Sequence, residues 1–284
     1  MANVKDIRRR IRVVKSIEKI TSAMKMVAAA RLRKAQDRAL AARPYAQKLQ
    51  HIVQDLARGA GNVEHPLMQD REVKKAVFVV VGADRGLAGS FNTTLMNKAM
   101  AEIKKFAPED VKMVIIGKKA ANFFKRQPYE VLHMMEAGGD GLSFSAIHVL
   151  TEELSEMFRA GQTDAVYMVY AKFLTAMTQT PSVIRLLPMS APETDGSERA
   201  DFIYEPDPAT LLKDLIPRYL DTIAYQAILE SQASEQGARM TAMSAATKNA
   251  GEMIESLTLQ YNKARQSAIT KEITEIVSGA EALS

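Results

Sequence analysis

Residues 240–268, MTAMSAATKNAGEMIESLTLQYNKARQSA, decide how this chain folds. Met240, Met243, Thr247, Ala250, Ile254, Leu257, Tyr261, Ala264 and Ala268 follow one another at alternating steps of three and four. This is a heptad seam, and a strict seven-residue repeat stays against a partner helix only if the two wind around each other with a left-handed supercoil. Residues 218–284 contain no proline and only three glycines, Gly237, Gly251 and Gly279, so little in the backbone chemistry interrupts that helix. Upstream, Asp207 stands as an N-cap before Pro208, and Pro217 is placed to perturb the first turns. A helix with such a seam needs a second helix.

The partner lies at the other end of the chain. Val4, Ile7, Ile11, Val14, Ile17, Ile20, Met24 and Val27 recur every three or four residues, which predicts an apolar stripe along one helix face. From residue 3 to 58 the only helix breaker is Pro44, the place for a kink, and a helix of that length would extend roughly 80 Å. Two long helices flanking one insertion should bury each other's stripes. Because the chain leaves along the first and returns along the last, the pair must be antiparallel, with both termini at the tip away from the insertion.

Between the helices the pattern changes after Gly59, Gly61 and Pro66. KAVFVVV at 75–81, VKMVII at 111–116 and DAVYMVYA at 164–171 are short, β-branched apolar runs that predict buried strands. Helical patterns at 93–106 and 145–161 alternate with them, so a parallel, Rossmann-like α/β domain is the economical reading. TPSVIRLLPM reads as an edge strand and residues 191–201 as a polar loop. The expected organisation is an N-terminal coiled-coil helix at 1–60, the α/β domain at 70–200 and a C-terminal coiled-coil helix at 205–284.

With 284 residues and 47% apolar content, the chain can bury a full core. Its net charge of +5 hides a local excess: residues 1–40 hold twelve Lys and Arg against three acids, so that segment carries +9. One basic surface follows, suited to an acidic partner. The absence of cysteine excludes disulfides, thiol catalysis and thiolate metal sites. No apolar run approaches the ~20 residues of a membrane span. Charges break every apolar run near the start, which therefore reads as mature structure and not as a signal peptide.

Several segments have residue types that could carry chemistry. The loop GADRGLAGSFNT at 82–93 follows a strand and precedes a helix, where phosphate-binding loops sit. Gly82, Gly86 and Gly89 do not match GxGxxG, and no Lys precedes Ser90 or Thr93 as a P-loop requires; a tight turn with an Asp84 cap is the plainer reading. His51, His65, His133 and His148 lack metal-ligand spacing, and Glu152, Glu153 and Glu156 lie along a solvated helix face. No nucleophile stands with a base, so neither catalytic residue, metal nor cofactor is expected. Met24, Met26, Met240 and Met243 sit in or beside the seams, as gap-filling core or as an adaptable sliding contact.

Taken together, KITSAMKMVAAARLRKAQ at 19–36, DRGLAGSFNT at 84–93, and ARMTAMSAATKNA with LTLQYNKARQSAITKEITEIVSGAEAL resemble the γ subunit of F-type ATP synthases, of the bacterial type. In the central loop the family often has cysteine after Gly-Leu and glycine two positions later, where this chain has Ala88 and Ser90. The cysteine-bearing insertion of chloroplast versions is also missing, so thiol control of that kind should be absent.

The resemblance implies a central shaft, one copy per complex, turning inside a ring of three α and three β subunits and resting with ε on the membrane c-ring. It implies a peripheral location at the cytoplasmic face of the cell (inner) membrane, attached indirectly through the c-ring. Acidic loops of β would face Arg8, Arg9, Arg10, Arg31, Arg33 and Lys34. By the family pattern, Met24 beside Lys25 faces those loops, while Arg239, Gln266, Thr270 and Glu272 make polar rotor–stator contacts. Tyr204 and Glu205 match the region that meets the c-ring and ε.

Two other classes stay in view. A basic helical arm can neutralise nucleic-acid phosphates, but residues 1–40 have no aromatic for base stacking and share their helix with a continuous seam. An enzyme using the 82–93 loop would show nucleotide bound there.

Overall fold

In the computed structural model, residues 4–59, 65–138, 141–189, 205 and 207–281 are described. The chain runs α1 (Val4–Gly59), β1 (Ala76–Val81), α2 (Phe91–Ile103), β2 (Val111–Ile116), α3 (Lys118–Phe124), β3 (Glu130–Met135), α4 (Phe144–Arg159), β4 (Ala165–Phe173), β5 (Gln179–Leu187) and α5 (Pro208–Glu281). It divides into two compact units: Met1–Ala28 with Met240–Ser284, and Ala29–Arg239. The proposed loop at 191–201 lies outside the described residues.

In the first unit, segments of α1 and α5 pack as an antiparallel pair. The hydroxyls of Thr21 and Thr247 meet at 2.9 Å, and a Cβ on Gly251 would touch the Glu18 carboxylate at 3.7 Å, so position rises on one helix as it falls on the other. On α5 the expected seam holds: Met243 and Ala250 are buried, and Met240, Thr247, Ile254, Leu257, Tyr261, Ala264 and Ala268 are half-buried.

On α1 the seam departs from the expected stripe after Val14. Ile7, Val14 and Ala28 are buried, with Glu18, Thr21 and Lys25 half-buried between them, while Ile17, Ile20 and Val27 are exposed. The step from Val14 to Ile17 to Ile20 is three plus three, and a supercoiled helix needs alternating three and four to stay on one line. The packing therefore follows the heptad through polar residues and leaves a second apolar line, Val13, Ile17, Ile20 and Val27, on the outside.

The second unit is an α/β sandwich. Its five strands lie in the order β3-β2-β1-β4-β5, the first four parallel and β5 antiparallel to β4 at an edge. The sheet is covered on both sides, as a parallel sheet must be. One face packs Val77, Val79, Val114 and Met168 under Leu49, Val53 and Leu56 of α1, Ile147, Leu150, Leu154 and Phe158 of α4, and Leu212, Ile216 and Leu220 of α5. The other packs Phe78, Val80, Met113 and Ile115 under Phe91, Leu95, Ala99 and Ile103 of α2 and Phe124 of α3.

Hydroxyls tie α5 to the strand ends. Ser231 Oγ donates to the Val81 carbonyl at 3.2 Å, and Ser234 Oγ donates to the Ala171 carbonyl at 2.9 Å. Gly237 allows the helix to cross close to the β4–β5 turn: a Cβ there would stand 3.0 Å from the Ala176 carbonyl oxygen. Asp207 caps α5 through the Thr210 N–H at 2.9 Å, and the helix continues through Pro217 without a break. Likewise α1 continues through Pro44, whose exposed position points the ring away from the core.

Candidate functional site

The first unit carries most of the expected contact residues on its surface. Arg8, Arg9 and Arg10 are exposed; Arg9 pairs with Asp6 at 3.6 Å, but with side chains 78% and 57% exposed that pair adds little. Met24 and Lys25 are half-buried side by side at the edge of the seam.

Pairing Thr21 with Thr247 brings Val4 level with Ala264, so the described part of α1 runs out there. From Arg265 to Ser278 every α5 residue except Ala268 is exposed. Gln266, Thr270 and Glu272 lie on this stretch among the exposed Ile269, Ile273, Ile276 and Val277. Thr270 Oγ donates to the Gln266 carbonyl at 2.9 Å, which orients the hydroxyl along its own helix.

In the second unit, Arg31 and Arg33 are exposed on α1 and Glu205 is exposed. Tyr204 lies outside the described residues. Arg239 differs from these. Its side chain is 9% exposed, pairs with Glu235 one turn earlier at 2.6 Å, and donates to the Arg85 and Gly86 carbonyls at 3.3 Å. The guanidinium thus fastens α5 to the chain's own 82–93 loop. Burial pushes the Glu235 carboxyl above its ordinary value, against the pull of Arg239.

The same loop shows what fills a phosphate-loop position here. Asp84 sits after β1, but its carboxylate does not cap α2. Oδ1 accepts from Lys118 N and Ala137 N at 3.1 Å each, and Oδ2 accepts from Gly138 N at 2.8 Å. One side chain therefore gathers the carboxyl ends of β1, β2 and β3. At the start of α3 the Lys118 N–H is taken by this carboxylate and the Lys119 N–H by the Ala83 carbonyl at 2.9 Å. Asn92 Oδ1 takes the Ala83 N–H at 3.1 Å. Gly117 completes the junction: at φ +98 it bears no Cβ, which would otherwise lie 2.4 Å from the Gly82 carbonyl oxygen.

One acid–imidazole pair invites a catalytic reading. His148 Nδ1 lies 2.8 Å from Asp221 Oδ2, and the Thr151 hydroxyl bonds to Asp221 Oδ1. Asp221 thus stands between the other two. A nucleophile relay needs the hydroxyl on the imidazole, with the acid beyond it. This arrangement instead satisfies a buried carboxylate where α4 meets α5. Among the described residues no group of three or more His, Asp or Glu could hold a metal ion.

Sequence reasoning missed the reach of Asp84 and the part played by Glu235. For Glu235 a signal existed, since a Glu four residues before an Arg on a helix is a favourable pair. For Asp84 none did, because its partners lie far along the chain.

Comparison with known proteins agrees with this geometry. A family model described as ATP synthase matches residues 3–283. The "ATP synthase gamma chain" of Moorella thermoacetica is 46% identical over 283 residues, covering all of both chains. That of Pelotomaculum thermopropionicum is 43% identical over 284 residues, again covering both chains fully. Among solved structures, a chain of the Euglena gracilis mitochondrial ATP synthase, from a structure of OSCP, F1 and c-ring, superposes with a TM-score of 0.70 at 18% identity. That match covers 99% of this chain and 94% of the other, and it speaks to the fold.

Proposed function

This chain belongs to the ATP synthase gamma-chain family, and from that membership we propose that it is the rotating central-stalk subunit of a proton-translocating F1Fo ATP synthase. The observation that carries this reading is the first unit: two unlike antiparallel helix segments, with α5 continuing alone past the described start of α1. A pair of unlike helices has no threefold symmetry. In any orientation three surrounding β subunits therefore meet three different faces, and each settles into a different conformation. Turning the pair permutes those conformations. Torque from the c-ring becomes ATP synthesis, and hydrolysis runs the linkage backward.

The chain itself is non-catalytic in this reading; nucleotide chemistry belongs to β. Its partners are the α and β subunits, ε and the c-ring, with one copy per complex. No helix among the described residues is long and apolar enough to cross a membrane. In this reading the chain is attached indirectly, through the c-ring, at the cytoplasmic face of the membrane. Arg8, Arg9, Arg31 and Arg33 are exposed cations that suit acidic loops of β. The exposed apolar line of Val13, Ile17, Ile20 and Val27 adds a surface that the chain does not cover itself. Gln266, Thr270 and Glu272 are the polar contacts of the solitary end of α5, Met24 and Lys25 those of the seam edge, and Glu205, with Tyr204, those of the foot. In this reading the paired segments of α1 and α5 in the first unit form the shaft, while the rest of the helices expected at 1–60 and 205–284 packs with the α/β domain expected at 70–200.

Replacing Gln266 and Thr270 together by leucine is expected to lower coupled ATP synthesis by about thirtyfold, the effect of losing two polar interface contacts of about 1 kcal/mol each. Assembly should fall much less, because both side chains are exposed on the free chain. Synthesis at the normal rate in inverted vesicles would remove these residues from the contact set. Met24→Lys places a second ammonium beside Lys25 and is expected to impair coupling by gripping the acidic β loops. Proton pumping that stays proportional to hydrolysis would refute that placement. Mild membrane extraction tests the identity itself: the chain should co-purify with α, β and ε, and its recovery alone would reject the reading.

A further inference from the structure

The strand order β3-β2-β1-β4-β5 puts a topological switch point between β1 and β4, because the chain leaves β1 toward β2 on one side and β4 toward β5 on the other. In open α/β sheets the crevice outside two such carboxyl ends is where ligands bind. Here the chain's own helix α5 fills it.

The pairing of β1 with β4 ends at Val80 and Val169, while β4 runs on to Phe173. Ala171 is therefore two residues past the last rung, and opposite it on β5 stands Pro181, which has no N–H to offer. Two serines of α5 continue the ladder. Ser231 Oγ accepts from the Ala171 N–H at 3.4 Å and donates to the Val81 carbonyl at 3.2 Å, and Ser234 Oγ donates to the Ala171 carbonyl at 2.9 Å. Both serines are buried, at 2% and 0% exposure, so water does not compete for these bonds. About two turns after Ser231, Arg239 adds its bonds to the Arg85 and Gly86 carbonyls.

Such bonds do what apolar packing alone does less well. Leu212, Ile216, Leu220 and Ala224 hold α5 on the sheet by burial, which is non-directional and opposes sliding along the helix axis only weakly. Hydrogen bonds weaken steeply with angle and distance, so a set that reaches both strands fixes the axial position and the rotation of α5. The helix then continues from this unit into the first.

We propose that Ser231 and Ser234 are positioning residues for torque transfer: they key α5 into the switch-point crevice and set the torsional stiffness of the joint between the sheet and α5. This rests on the rotor reading and adds to it the place where torque enters the helix.

The test uses the chain assembled with α and β, the ring immobilised and a bead on the α/β unit. Ser231→Ala/Ser234→Ala is compared with Ser155→Ala and with the unaltered chain. Ser155, 1% exposed, donates to the Thr151 carbonyl at 2.7 Å within α4, so its replacement removes a buried hydroxyl bond of the same kind without touching α5. By equipartition, the angular spread of the bead within a dwell widens as the joint softens. The expected result is a wider spread in the double variant, with the dwells per turn unchanged and Ser155→Ala like the unaltered chain. Should the double variant not fold, Ser234→Ala alone is compared in the same way. An equal spread in all chains, or a widening as large in Ser155→Ala, would overturn the proposal and leave the rotor reading standing. An unaltered chain whose bead never turns would overturn the rotor reading, and this proposal with it.

Discussion

Arg239→Ala is expected to lower the stability of the folded chain by about 3–5 kcal/mol, the usual result of removing one partner from a buried ion pair. The side chains of Arg239 and Glu235 are 9% and 13% exposed, so solvent cannot replace the lost guanidinium. Two loop carbonyls, those of Arg85 and Gly86, lose their donor in the same step. Against a typical total of about 5–15 kcal/mol, this is a large fraction.

The effect should depend on pH with a definite sign. Burial already raises the folded-state value of Glu235 above its unfolded value, so its contribution is most favourable in acid and declines as pH rises through that window. Removing Arg239 takes away the main group opposing the rise, which widens the window. The deficit should therefore be largest at neutral pH and smaller at an acid pH, where Glu235 takes up its proton. Adding Glu235→Gln to Arg239→Ala should recover part of the loss at neutral pH. Urea titrations at the two pH values measure this; an equal deficit at both, with no recovery in the double variant, would show that the pair is not coupled.

The second large effect is expected at Asp84. Asp84→Ala removes the acceptor shared by the N–H groups of Lys118, Ala137 and Gly138, at 3.1, 3.1 and 2.8 Å. Hydrogen bonds to a charged group are worth about 1.5–3 kcal/mol each; since water reaches part of this site, a total loss of about 3 kcal/mol is the reasonable figure. Asp84→Asn keeps one oxygen acceptor and should lose about 1 kcal/mol. Amide exchange locates the damage: in the alanine variant Lys118, Ala137 and Gly138 should exchange faster, with little change in α4. Unaltered exchange at all three would mean that the strand ends are held by other bonds.

How much of this was legible in the sequence depended on whether the signal was local. The seam from Met240 to Ala268 was legible because a period of three and four is written in consecutive residues and packing follows it directly. The stripe on α1 was legible only as far as Val14. Beyond it, apolar residues at a run of threes suggested Ile17 and Ile20, and the supercoil instead kept Glu18 and Thr21 at the contact. Strands β1, β2 and β4 were plain because they are buried on both faces. The edge strand β3, EVLHMM, carries Glu130 and His133 at exposed positions, and α3 spans only seven residues, so neither stood out.

For the site, the residue types were readable and their surroundings were not. Exposure of Gln266 and Thr270 goes with the end of the described part of α1, since Ile269 and Ile273 beside them are exposed as well. Burial of Arg239 could not be seen, because an Arg within helical periodicity looks the same whether it meets solvent or a loop some 150 residues earlier. The role of Asp84 depends on residues more than 30 and 50 positions away, brought together only by the sheet order.

The central claim is that this chain turns inside a ring of α and β subunits. Reconstituting it with α and β, immobilising the ring, and attaching a bead to the α/β unit tests that most directly. The account predicts that ATP drives one-way rotation with as many dwells per turn as there are β subunits. A complex that hydrolyses ATP while the bead stays still, or turns without preferred direction, would contradict it.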